Sequence, residues 1–158
     1  MSISGARRGY GIITGSLMEE GEFRPLTKTV FIDENSSDIF YPAHAVVLNN
    51  DLTTSKLIGV RPTVATDNIY GVVKSTHKHQ GYGYSIADNR KILEVVKSGA
   101  IVMKSGGAIA SGDEVEIVVT AGDTGDKVVT ATTGTVIGKA ESSTTGADQD
   151  IIIRINLL

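Results

Sequence analysis

Apolar and polar residues alternate in short runs along most of the chain, and glycines and small polar residues separate the runs. In EVEIV, Val115 and Ile117 alternate with Glu114 and Glu116, a period of two that predicts a strand with one buried face. Many short runs of this kind, at spacings of about 8 to 12 residues, are typical of an all-β fold rather than of alternating strands and helices. The pattern therefore predicts a single small β-barrel or β-sandwich domain. The predicted strands are Thr29 to Ile32, two within Ala45 to Val60, one from Ile69, Val115 to Val119, Lys127 to Thr130, Thr135 to Lys139, and the terminal run from Ile151.

Residues 91–107, KILEVVKSGAIVMKSGG, are compatible with two structures. Ile92, Val95 and Val96 have helical spacing. The β-branched residues, with Ser98 and Gly99 as a two-residue turn, favour a hairpin. We expect the hairpin.

The ends and loops of the domain are less regular. Residues 1–28 have scattered glycines and weak periodicity, which predicts an N-terminal arm or an irregular hairpin before a single β-domain at 29–158. Residues 77–90 are polar and contain glycine, so we expect a long exposed loop. The turns around Ser111 to Glu116 and Asp123 to Asp126 carry carboxylates that we expect to be exposed.

One phrase recurs in LIGVRP, IYGVVKST and VIGKAESST, where an apolar pair precedes Gly59, Gly71 and Gly138. One interpretation is coincidence in a chain rich in glycine and valine. The other is a shared geometry in which each glycine lets a strand bend or approach a neighbouring backbone closely.

Composition narrows the possible functions. The 158 residues suffice for one core, and the absence of cysteine excludes disulfides, thiolate metal sites and cysteine nucleophiles. The formal net charge of -3 provides no basic field for nucleic acid. The sequence shows no secretory h-region and no apolar run long enough to cross a membrane, so we expect a protein made in the cytoplasm, with no membrane partner.

Candidate chemistry is sparse. His77 and His79 alternate and can share a metal ion on a strand, but no third ligand is adjacent, so we expect solvated loop histidines. No serine lies in a G-x-S-x-G elbow, and GYGYS at 81–85 lacks the lysine of a phosphate loop. We therefore expect no enzyme, cofactor or metal site, while a small β-fold enzyme that uses the two histidines stays an alternative.

The second half of the chain resembles the structural cement or head decoration proteins of tailed bacteriophages. The resemblance covers about Ala45 to Leu158 and includes KILEVVKSGAIVMKSGGAIASGDEVEI, the glycine-led GVVKS at 71–75, and a closing strand, loop and strand. The positions that match this closing pattern are Thr135, Gly138, Ala140, Arg154, Leu157 and Leu158.

The resemblance implies a small, often trimeric β-domain of the virion that binds the major capsid protein on the outer surface of the head, stabilises the capsid and has no catalytic residues. Within that role we expect Arg7, Arg8 and Tyr10 of the arm, with Tyr82 and Tyr84, to contact capsid or subunit, since tyrosine is amphipathic; core packing of each tyrosine stays open. The alternative function is a carbohydrate-binding or adhesin-like β-sandwich on a virion or cell surface, although the chain has no Trp and few other aromatic residues.

Overall fold

The computed structural model describes residues 14–18, 25–49, 56–75 and 83–158 of the protein. Every regular element in these ranges is a β-strand, so the predicted all-β fold is confirmed. The strands are β1 (Leu17–Met18), β2 (Leu26–Ile32), β3 (Ala45–Leu48), β4 (Ile58–Val60), β5 (Ile69–Val73), β6 (Ile92–Gly106), β7 (Glu114–Val118), β8 (Lys127–Thr130), β9 (Val136–Ala140) and β10 (Ala147–Asn156).

The expected hairpin within residues 91–107 is wrong, because β6 is one continuous strand across Ser98 and Gly99. Ser98 pairs with Leu26 of β2 on one edge and with Asn156 of β10 on the other. Both edges are therefore occupied at the point where a hairpin would have to reverse. Gly99 instead adopts a φ of 132°, which glycine tolerates, and the strand continues through it.

The long strand β6 is shared by two closed rings of strands. Its first half pairs with β2 and β5, and β4 and β3 close a ring in the order β2, β4, β3, β5, β6, which we call the first barrel. Its second half pairs with β8 and β10, and β7 and β9 close the order β6, β8, β7, β9, β10, the second barrel. The short β1 also pairs with β6.

A β-bulge in β6 explains how one strand serves two barrels. Leu26 and Thr27 are consecutive in β2, yet they pair with Ser98 and Val96, so Lys97 is an extra residue in β6. Because side chains alternate along a strand, one extra residue exchanges the two faces. The face that carries Val95 lines the first barrel, whereas the face that carries Ile101 lines the second.

The two barrels have separate but adjoining cores. The core of the first contains Val30, Phe40, Val46 and Leu93 among others. The larger core fills the second barrel, mainly with isoleucine and valine from β6 to β10, and alternate residues of β3 and β5, such as Ala45 and Val72, enter it from the first barrel. The outer face of the first barrel therefore packs into the core of the second.

The predicted boundary at residue 28 and the predicted loop at 77–90 fall partly outside the described residues. Strand β2 begins at Leu26, and residues 14–18 already contact β6 through β1, so these parts belong to the sheet; the division of the chain at residue 28 stays a prediction. The expectation that this loop is exposed is wrong for Tyr84 and Ser85. Both residues are buried, and Tyr84 forms a β-bridge with Phe40.

Two of the three recurring glycines, Gly71 and Gly138, share the close approach to a neighbouring backbone that one interpretation of the sequence predicted. A Cβ on Gly71 would collide with Val95 and the Val96 carbonyl of β6, and one on Gly138 would collide with the Arg154 carbonyl of β10. A Cβ on Gly59 would lie 2.7 Å from both Val30 and Val46. A side chain would therefore press on neighbouring backbone at Gly71 and Gly138, and on two valine side chains at Gly59.

We predict that Gly138→Ala destabilises the protein by about 3 kcal/mol, because the methyl group would press on backbone that cannot rotate away. Urea unfolding measures the change. Gly107→Ala is the matched control, since a Cβ there meets nothing within 4 Å, and we expect a change of less than about 0.5 kcal/mol. Equal effects of the two substitutions would contradict the close packing of β9 on β10.

Candidate functional site

A buried ion pair joins the two barrels. Asp126 is 0% exposed, and its Oδ1 lies 2.6 Å from NH2 of Arg61 while its Oδ2 lies 2.8 Å from NH1. The same carboxylate accepts hydrogen bonds from the backbone N–H of Ala45 at 2.7 Å and of Thr120 at 2.8 Å. Its charge is therefore matched by a two-pronged guanidinium and two backbone donors, the arrangement in which a buried pair is tolerated.

Chain order places these groups at the junction. Arg61 follows β4 and Ala45 begins β3, both in the first barrel, whereas Asp126 precedes β8 and Thr120 follows β7 in the second. Arg61 also donates from NH1 to the Ala45 carbonyl at 2.8 Å. The expectation that the acids of 123–126 are exposed is thus wrong for Asp126, because the turn between β7 and β8 packs against the start of β3.

His44 lies beside this pair with 1% of its surface exposed. Its Nδ1 accepts a hydrogen bond from the Tyr41 N–H at 3.0 Å, and the Tyr41 ring meets the imidazole edge to face. The carbonyls of Thr120 and Gly122 lie near the ring, but no hydrogen bond of ordinary geometry reaches Nε2. Burial, and secondarily the charge of Arg61, lower the pKa of His44 to about 4, against a smaller opposing effect of Asp126.

Glu116 of β7 is a second buried carboxylate that the sequence predicted to be exposed. Its Oε2 accepts from the backbone N–H of Thr132 at 3.0 Å and of Gly134 at 2.5 Å. The side chain thus holds the turn between β8 and β9 against β7. Its role is to satisfy backbone donors of a tight turn.

These arrangements are structural rather than reactive. The oxygens of Asp126 are occupied by Arg61 and by backbone donors, which leaves no position for a substrate. Within the described ranges no cluster of three or more His, Asp or Glu residues is placed to hold a metal ion. His77 and His79 lie outside the described residues, so the metal alternative is not tested.

Of the predicted contact residues, Arg7, Arg8, Tyr10 and Tyr82 lie outside the described residues. Tyr84 is 6% exposed and packs in the core of the first barrel. The contact role of Arg7, Arg8, Tyr10 and Tyr82 therefore stays a prediction, whereas the burial of Tyr84 favours the alternative of core packing.

Larger apolar side chains that are exposed in the described parts include Ile39, Val64, Ile92, Val118, Val136 and Leu158.

In the portion of the chain that the structure describes, no helix is long and apolar enough to span a bilayer.

Two closed barrels on one shared strand, joined by a buried ion pair, define an all-β protein. The model of the structural cement protein family (E217 gp24/Pam3 gp6) matches residues 13–157. The chain belongs to this family of phage structural proteins, and the resemblance seen in the sequence is confirmed. No curated protein matches the chain.

We predict that Asp126→Asn destabilises the protein by about 3 kcal/mol or more, because an amide cannot balance the guanidinium of Arg61 or accept all its donors. Urea unfolding measures this change. The control is Asp148→Asn, which removes the partly exposed pair with Lys127 at 2.6 Å and should cost less than about 1 kcal/mol. Asparagine also tolerates the φ of 61° at Asp148. A cost for Asp126→Asn as small as the control's would show that the junction does not depend on the pair.

We predict an acid-sensitive stability that is due to His44. Its pKa is about 4 in the folded protein and about 6.5 when unfolded, so between these values only the unfolded chain takes up the proton. The contribution is full above about pH 6.5 and is lost as the pH falls to about 4, to a total of about 3 kcal/mol. His44→Asn keeps an acceptor for the Tyr41 N–H but cannot titrate.

Urea unfolding of the parent and of His44→Asn at about pH 7 and about pH 4.5 tests this prediction. The two proteins have the same carboxylates, so the pH dependence that these groups cause largely cancels in the comparison. The parent should lose about 2 kcal/mol more than His44→Asn on acidification. Equal losses would mean that His44 accepts a proton in the folded state as readily as in the unfolded one.

Proposed function

We propose that this protein binds the outer surface of the assembled phage head as a trimer, contacts neighbouring copies of the major capsid protein and stabilises the shell. Membership of the structural cement family is the observation that carries this proposal. The outer head surface, the major capsid protein as partner and the trimer are inferred from the resemblance seen in the sequence.

The architecture supports a bridging role. Both barrels are closed and share β6, so the sheet offers few unpaired edges and little freedom for one barrel to move against the other. A rigid body that makes several modest contacts with a lattice gains affinity because the contacts are engaged simultaneously. Stability of the bound shell then increases by mass action, because the protein binds the assembled form preferentially.

The contacts that we propose are Arg7, Arg8 and Tyr10 of the N-terminal arm together with Tyr82. Tyr84 serves the core of the first barrel instead, because its side chain is almost fully covered and its backbone bridges Phe40.

We predict that the purified protein binds heads that lack it in a saturable way and raises the temperature at which they rupture. Co-sedimentation with heads and a thermal DNA-release assay measure the two effects. Arg7→Ala/Arg8→Ala should weaken binding at least about tenfold if both arginines are engaged. Lys28→Ala/Lys91→Ala is the matched control, because it removes two exposed positive charges from the first barrel.

Three results would contradict parts of this proposal. Failure of the parent to bind heads would contradict the head-surface role. Binding without a change in rupture temperature would contradict stabilisation. Equal weakening of binding by the two double variants would contradict a specific contact of the arm, because the loss of any two positive charges would then have the same effect.

A further inference from the structure

The two barrels have the same topology in the same chain order. In the first, β2 pairs in parallel with β4, and β4–β3, β3–β5, β5–β6 and β6–β2 are antiparallel. In the second, β6 pairs in parallel with β8, and β8–β7, β7–β9, β9–β10 and β10–β6 are antiparallel. Each strand of the first barrel therefore has a counterpart four strands later.

The correspondence extends to the register of single residues. Ala45, Val46 and Val47 pair with Val72, Gly71 and Ile69, with an irregularity after Val46. Their counterparts Glu114, Val115 and Glu116 pair with Lys139, Gly138 and Val136, with an irregularity after Val115. Gly71 and Gly138 are thus equivalent, and each packs against the last strand of its own barrel.

The turn before β3 and the turn before β7 also correspond in detail. Ala43 and Gly112 both have positive φ, and their N–H groups donate to Val73 and Ala140 at 2.8 Å in each case. The next residue, His44 or Asp113, accepts through its side chain from the backbone N–H three positions earlier, at 3.0 Å and 3.1 Å. Two barrels that shared only a fold class would not need to have the same register, the same bulge and the same turn.

One face does not repeat, and the difference is chemical. In the first barrel the cross-strand pair Ala45 and Val72 is fully buried, and Ile69 beside it is 4% exposed, because this face packs into the core of the second barrel. In the second barrel the equivalent pair is Glu114 and Lys139, both exposed, and the counterpart of Ile69 is Val136 at 40% exposure.

We infer that the chain is a tandem duplication of one barrel that shares β6, and that Glu114 and Lys139 cap the outer face of the second barrel against the addition of another copy. Repeat proteins need a polar face on the terminal unit, because an apolar docking face left uncovered recruits further units. A head-to-tail contact on such a face would not close and would grow into chains. This inference goes beyond the proposed function and does not depend on it.

The test restores the apolar pair on the second barrel. Glu114→Ala/Lys139→Val introduces the residues of the first barrel at both positions, and Glu114→Gln/Lys139→Gln is the control, since both double variants leave the formal net charge at -3. Sedimentation velocity over a wide range of concentration compares them with the parent, and cooperative urea unfolding verifies that each is folded.

We expect the Ala/Val variant to form species larger than the parent that grow with concentration, while the Gln/Gln variant sediments as the parent does. Sedimentation of the Ala/Val variant like the parent, or equal association of both variants, would overturn the cap.

The duplication has its own test in an alignment of family members. The columns of Gly71 and Gly138 should both hold small residues, and the buried columns of the two barrels should coincide; independent patterns would overturn it.

Discussion

The sharing of β6 between two barrels is the constraint on which the rest of the structure depends. A strand that lines one barrel with Val95 and another with Ile101 must exchange its faces, and the extra residue Lys97 does this. Ser98 pairs with β2 of the first barrel on one edge and with β10 of the second barrel on the other, so the two barrels are coupled at this residue. Two separate domains joined by a linker would have no such coupling.

The polar junction follows from that coupling. Strands β3 and β4 approach the turn that precedes β8, where Arg61, Asp126 and backbone N–H groups satisfy one another away from water. A hydrophobic junction would serve burial equally well, but a two-pronged pair fixes the orientation of its partners, because it works only in one geometry. His44 stays neutral in the same place, where a second positive charge beside Arg61 would be costly.

Short-range patterns in the sequence predicted the strands, but they did not predict that one strand, β6, belongs to both barrels. The alternation in β7 and the isoleucine run of β10 are visible in the sequence, because both strands carry closely spaced apolar residues that are buried in the structure. The continuity of β6 does not show, because Ser98 and Gly99 suit a hairpin turn as well as a bend, and pairing on both edges decides between them. Asp126 sits among glycines and polar residues, and Glu116 occupies the polar position between Val115 and Ile117, so both resemble solvated acids; only tertiary packing buries them. An arginine directly after the apolar run LIGV was the one available sign of a buried charge.

The internal repeat links this architecture to a structural role. Duplication of a barrel around a common strand makes a longer rigid body without a hinge, and the extra surface can diverge while the cores stay alike. The divergence falls where the barrels differ in surroundings: Ala45 and Val72 face a neighbouring core, whereas Glu114 and Lys139 face solvent. In the role proposed above, the protein requires both properties, because it must resist deformation across a contact with the shell and must not add further copies of itself in the absence of a head. The repeat supplies the first property and the charged pair the second.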